Sequence, residues 1–168
     1  MKITFSFVLV FLLVGAIPLH AERHHHMAGL QFKTLEGWAP TVEGPTLTIQ
    51  KDSKDALVMV NRLPFPKKGV ALFKIKKHLE KTGKRFLVRA VESELNLQFF
   101  DRDPFKGYYF QLTDQTDKPG EYKNMVQGVI KGDHLLIGFT LLFHDSEKPT
   151  EDVFEMLSSF VPTKNIPI

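Results

Sequence analysis

"YKNMVQGVIKGDHLLIGFTLLFHD", residues 122–145, decides the fold. It reads as two strands folded back on each other about "KGDH", a hairpin turn. Side chains of a strand alternate between its two faces. The second arm places Leu135, Ile137, Phe139, Leu141 and Phe143 on one face and Leu136 and Leu142 on the other. A strand that is apolar on both faces belongs in the middle of a sheet covered on both sides.

The neighbouring segments supply strands to pair with it and helices to cover it. "LQFKTLEGW" (30–38) alternates and then turns at Gly37, while "TLTIQKD" (46–52) and "ALVMVNRL" (56–63) read as strands joined through "KDSKD". "PFPKKG" (64–69) suits neither a helix nor a central strand. "VALFKIKKHLEKTG" (70–83) predicts the first helix, with Ala71, Leu72, Ile75 and Leu79 on one face and Gly83 where a left-handed C-terminal cap is wanted. "FLVRAVES" (86–93), "LNLQFFD" (95–101) and "GYYFQLTD" (107–114) predict further strands. "PTEDVFEMLSSFVP" (149–162) predicts the closing helix. There Thr150 would serve as cap, Glu151 and Asp152 sit at the positive end, and Val153, Phe154, Leu157 and Phe160 point inward. The expected fold is therefore α+β: a mostly antiparallel sheet covered by helices on both faces, an α/β/α sandwich.

The same order of segments, from "LQFKTLEGW" through the strand pair, the helix, "GYYFQLTD" and "MVQGVIKGDHLLIGFTLLF" to "FEMLSSF", resembles the PsbP-like superfamily. That group includes the DcrB-type periplasmic proteins and the nuclear transport factor Mog. The likeness runs over residues 32–162, and its motifs, a Gly-Trp after the first strand and a Ser-Phe ending the last helix, are packing signatures. It implies an α/β/α sandwich that works by binding, in photosystem assembly, transport or envelope roles. It implies no catalytic residues.

Residues 1–21 have the form of a secretory signal: Lys2, then the uncharged "ITFSFVLVFLLVGAI", then Pro18 and a small residue, Ala21, before the cut. The apolar run is shorter than the roughly 20 residues of a permanent membrane helix. The expectation is an exported chain, periplasmic or secreted, without a transmembrane anchor after processing. Residues 22–29 then form a polar, histidine-rich tail, and 30–168 a single domain. The absence of cysteine excludes a thiol nucleophile, a Cys-based zinc site and a disulfide.

Three consecutive histidines, His24, His25 and His26, follow the expected cut. A mature chain beginning Glu22-Arg23-His24 could wrap Cu(II) or Ni(II) in a plane of four nitrogens: the free amine, two backbone amides and the His24 imidazole. His25 and His26 could add an axial or second site. The same run also reads as a disordered polar tail or the remnant of a tag.

Motifs of catalysis are lacking. No serine lies in G-x-S-x-G or S-x-x-K, and H-E-x-x-H is absent. His134 and His144 share a strand parity, but ten residues of strand set them about 34 Å apart. "DRDPF" (101–105) fails the register of a calcium loop, with Lys106 where glycine is needed and Leu112 where glutamate is needed. An enzyme would have to assemble its site from scattered groups such as Asp101, Asp103 and a histidine.

Charge is distributed unevenly. The chain holds 22 Lys+Arg against 19 Asp+Glu, yet all the basic residues from Arg62 to Arg89 face a single acid, Glu80. Lys74, Lys77 and Lys81 fall opposite the apolar face of the first helix, with Phe73 beside them, and Lys84 and Arg85 follow. These residues read either as a solvated face, with Phe73 tucked under the Pro64–Pro66 loop, or as a surface for an anionic partner. With export, that partner is an envelope protein or an anionic surface rather than nucleic acid. The functional expectation is a non-enzymatic binding or accessory protein of the bacterial cell envelope. The alternatives are a Cu/Ni-binding protein using the N-terminal histidines and an enzyme with an unrecognised site.

Overall fold

The computed structural model describes residues 22–163 apart from 67, 68, 117, 119 and 145–148, so the expected signal segment lies outside the described residues. Ten strands and two α-helices follow in the order β1 (Arg23–Met27), β2 (Leu30–Thr34), β3 (Trp38–Glu43), β4 (Thr46–Lys51), β5 (Ala56–Leu63), α1 (Leu72–Gly83), β6 (Gln98–Arg102), β7 (Phe105–Thr113), β8 (Asn124–Lys131), β9 (Leu136–Phe143), α2 (Thr150–Ser158) and β10 (Val161–Pro162). A short 3-10 turn, Leu87–Arg89, lies between α1 and β6.

Seven strands form one antiparallel sheet in the order β3-β4-β5-β9-β8-β7-β6. The doubly apolar β9 is its central strand, with Leu141 paired to Val58 on one side and Val126 on the other. Two apolar layers result. On one face Leu47, Ile49, Val58, Val60, Ile137, Phe139 and Leu141 pack with Leu30 and Phe32 of β2 and with Val153, Phe154, Leu157 and Phe160 of the α2 region. On the other, Ile75 and Leu79 of α1 pack on Phe110, Leu112, Val129 and Leu136.

The helix-covered α/β/α sandwich expected from sequence is not what forms: the molecule is mostly strand. The first face is closed by α2 together with a second, three-stranded sheet, β1-β2-β10. That sheet exists because "RHHHM" pairs along the whole of β2, from Arg23↔Thr34 to Met27↔Leu30. The residues expected as a tail are thus a strand. On the second face α1 packs chiefly on β7 and β8. Over β4 and β5 that face presents Thr46, Thr48, Gln50, Met59 and Asn61, each only half-buried. The alternation of "TLTIQK" makes that half of the sheet wettable, so no helix has to cover it.

Three local expectations are also corrected. Gly83 is no left-handed cap: it lies buried inside α1, where an added Cβ would stand 2.6 Å from Leu95 Cδ1, and Lys84 ends the helix in a right-handed conformation. The residue before α2 is Pro149, and Thr150 opens the helix without a side-chain cap. Residues 86–93 form no strand. The turns that end α1 simply continue, with Phe86 N–H donating to Gly83, Arg89 N–H to Phe86 and Ala90 N–H to Leu87. Those local turns use the backbone groups that a strand would offer a neighbour, apart from the isolated bridge Ala90↔Asp114.

Candidate functional site

The basic face forms as spaced. Ile75, Leu79 and Gly83 are buried, and Lys74, Lys77, Lys81, Lys84 and Arg85 are all exposed. Among the described residues none of these five has an ion-pair partner, although Glu80 lies on the same helix. Phe73 is 67% exposed, so it is not tucked under the Pro64–Pro66 loop. Residues three and four apart share a helix face, which places Phe73, Lys77, Lys81 and Lys84 along one stripe.

The turns after α1 expose further apolar residues. Val88 is 83% and Val91 63% exposed, and Phe86 is 40% exposed, interleaved with Lys84, Arg85 and Arg89. The alternation of Phe86, Val88 and basic residues resembles a half-buried strand in sequence, which hides the ridge. The mixture of large apolar and basic residues, with no compensating polar face, was the available signal.

Beside this ridge a pocket of about 230 Å³ opens at the end of the sheet. Leu112, Met125 and Leu142 contribute apolar lining, with Phe86 and Tyr122 among the walls. The Tyr122 hydroxyl donates to the Lys54 carbonyl at 3.2 Å, and its ring lies against His144 at 5.0 Å. Arg89, Asp114 and Lys123 also line the pocket. Asp114 is held below the usual carboxylate range, first by the Thr116 hydroxyl and amide that donate to its Oδ1 at 2.6 and 2.7 Å, then by Arg89 and Lys123. Arg89 Nη2 reaches its other oxygen only loosely, at 3.5 Å. The rim therefore carries two cations and one anion whose first partner is Thr116. No sequence motif announced it, because its parts come from four separate segments.

The histidines are placed in β1 and do not converge. His24 and His26 are exposed, whereas His25 turns to the opposite side, where its Nε2 lies 2.9 Å from Thr34 Oγ1 and its ring stacks on Phe32. Burial, followed by the charges of Arg23 and His24, pushes the His25 pKa down. Among the described residues no three His, Asp or Glu side chains gather as metal ligands. Asp101 and Asp103 lie exposed about the β6–β7 turn, Asp101 paired with Lys106 at 3.2 Å, and the neighbouring Arg102 pairs with Glu151. His134 is exposed in the β8–β9 turn. Among the described residues no helix is long and apolar enough to cross a membrane.

No family model and no curated protein matches the sequence. Among solved structures the chain is similar to cyanobacterial PsbP (CyanoP) from Synechocystis sp. PCC 6803, at 18% identity and a TM-score of 0.55, over 88% of this chain and 96% of that one. A protein from Bacteroides thetaiotaomicron matches at 7% identity and a TM-score of 0.42, over 81% of this chain and 46% of that one. The match to CyanoP runs nearly end to end in both chains, and it shows that this chain has a PsbP-like fold.

Proposed function

We propose that the protein is a non-enzymatic accessory protein of the bacterial envelope, exported by residues 1–21, that attaches to an anionic membrane surface through α1 and the ridge after it. The observation that carries this reading is the company kept by the exposed apolar side chains. Phe73, Phe86, Val88 and Val91 are exposed in the same stretch of chain that exposes Lys74, Lys77, Lys81, Lys84 and Arg85. A solvated helix face needs the lysines but not the exposed phenylalanine and valines. An interfacial surface uses both kinds of residue. Each basic group near an anionic leaflet contributes about 1 kcal/mol. Burying a Phe or Val side chain contributes about 1.5–3 kcal/mol. The PsbP-like fold supports an accessory role, and the sequence of residues 1–21 supports export.

Co-sedimentation with phosphatidylglycerol vesicles tests the reading, with phosphatidylcholine vesicles for comparison. The wild-type protein is expected to pellet with the anionic vesicles at about 0.05 M salt and to be released toward 0.5 M as the charges are screened. The triple change Lys74→Gln, Lys77→Gln, Lys81→Gln should weaken binding and leave the thermal midpoint in place. Failure to bind anionic vesicles at low salt, or binding indifferent to salt, contradicts the proposal.

A further inference from the structure

We propose that the pocket walled by Phe86 and Tyr122 is a binding site for a small apolar carboxylate, adjoining the membrane-facing surface and sharing Phe86 with it. Its lining is mostly apolar, which favours a ring or short chain, and its volume of about 230 Å³ exceeds the roughly 150 Å³ cavity that accepts benzene. A bare hydrocarbon would leave the rim unused. Arg89 and Lys123 both stand at that rim, and the one anion there, Asp114, is already satisfied at Oδ1 by the Thr116 amide and hydroxyl. Arg89 lies 3.5 Å from Oδ2, and Lys123 Nζ lies 3.4 Å from the Thr116 carbonyl; both contacts are long. Each cation can therefore turn to a carboxylate without stripping Asp114 of its main partners. Apolar walls with a few convergent polar groups make a site that selects for both ends of a ligand. The carboxylate can belong to a free acid or to the C-terminal residue of a chain with an aromatic last side chain. The chemistry is the same in both cases.

The test needs no lipid, so it stands or falls separately from the membrane reading. The protein has five methionines, and Met125 lies in the pocket, so its ¹³C-labelled methyl reports occupancy directly. Titration with 3-phenylpropionate should shift the Met125 signal saturably, and 3-phenylpropanol, the neutral analogue, should bind more weakly. Arg89→Gln with Lys123→Gln should weaken the acid about threefold to fivefold, the size expected of two part-exposed charges, and leave the alcohol unchanged. Lys106→Gln, a charge removed from the far end of β7, should leave binding unaltered. Met125→Phe should fill the pocket and abolish binding of both; for that variant a Leu142 methyl replaces Met125 as reporter, and the thermal midpoint establishes folding. A tripeptide ending in Phe, compared with its amide, separates the two sources: stronger binding of the free-carboxyl peptide than of 3-phenylpropionate assigns the site to chain termini, and the reverse to free acids. Equal binding of the acid and the alcohol, or binding of the acid unchanged in the double variant, overturns the proposal.

Discussion

Gly128 of β8 lies directly opposite Phe139 of β9, and the phenyl ring occupies the space a side chain at 128 would take. A Cβ there would stand 2.5 Å from Phe139 Cε1 and 2.9 Å from the Tyr108 carbonyl oxygen. The glycine thus allows the central strand to carry a phenylalanine, which meets Phe154 of α2 edge-on at 6.1 Å.

Gly128→Ala is accordingly expected to destabilise the protein by about 1–3 kcal/mol through overpacking. Phe139→Ala, a large-to-small change at a buried position, should cost about 3–5 kcal/mol. The two should couple, because truncating Phe139 removes the ring from the space of a methyl group on Gly128, although the Tyr108 carbonyl oxygen stays close, so the double variant should lose less than the sum. Urea denaturation of the four proteins measures this coupling. Strict additivity would show that the ring does not depend on the glycine.

Ser159 ties the second sheet to α2. Its hydroxyl accepts the Lys33 N–H at 2.9 Å and donates to the Met156 carbonyl at 2.6 Å. Ser159→Ala leaves that amide without its acceptor and should cost about 1–2 kcal/mol. The neighbouring Ser158 hydroxyl only donates back to the Phe154 carbonyl within its own helix, so Ser158→Ala should cost less than about 0.5 kcal/mol. Chemical denaturation ranks the two; equal losses would remove the special role of Ser159.

The downward shift of His25 sets a pH dependence. A histidine whose pKa is lowered on folding takes up more protons unfolded than folded, so its contribution is present above the ordinary value of 6.5 and is lost as pH falls below it. Asp114, also lowered, loses its contribution only below the ordinary carboxylate value of 3.8, a separate window. Between pH 7 and 5 the thermal midpoint should fall, and less so in His25→Phe, which keeps the stack on Phe32. NMR titration should show His25 titrating below the ordinary histidine value of 6.5. A His25 titration at or above that value would contradict the shift.

Some of this architecture was plain in the residues. Leu136, Ile137, Phe139, Leu141 and Leu142 carry enough apolar area on both faces to require a central position, and β9 has it. The bare half-face was also readable, since Thr46, Thr48 and Gln50 alternate with Leu47 and Ile49, but two helices suggested two covers. β1 and β3 were hidden for different reasons. "RHHHM" has no apolar alternation and gains its order from pairing with β2, and "WAPTVE" places Pro40 in an edge strand, where a missing N–H costs little. Gly83 shows a further limit: a glycine at the end of a helix signals a cap in sequence, whereas here it makes room for Leu95 and Phe110, whose approach is a tertiary matter. The basic face followed from helical spacing alone. The pocket beside it could not, because Phe86, Leu112, Met125 and Leu142 meet only through folding.

Attachment through the ridge after α1 is tested most directly at Val88. The chain has no cysteine, so Val88→Cys gives a single attachment point for an environment-sensitive fluorophore. Gln31→Cys, exposed on β2 on the opposite side of the large sheet, gives the comparison. On addition of phosphatidylglycerol vesicles at low salt, the probe at 88 is expected to shift to the blue as it enters the interface, and the probe at 31 to stay unchanged. A blue shift at 31 with none at 88, or equal shifts at both, would contradict attachment through this surface.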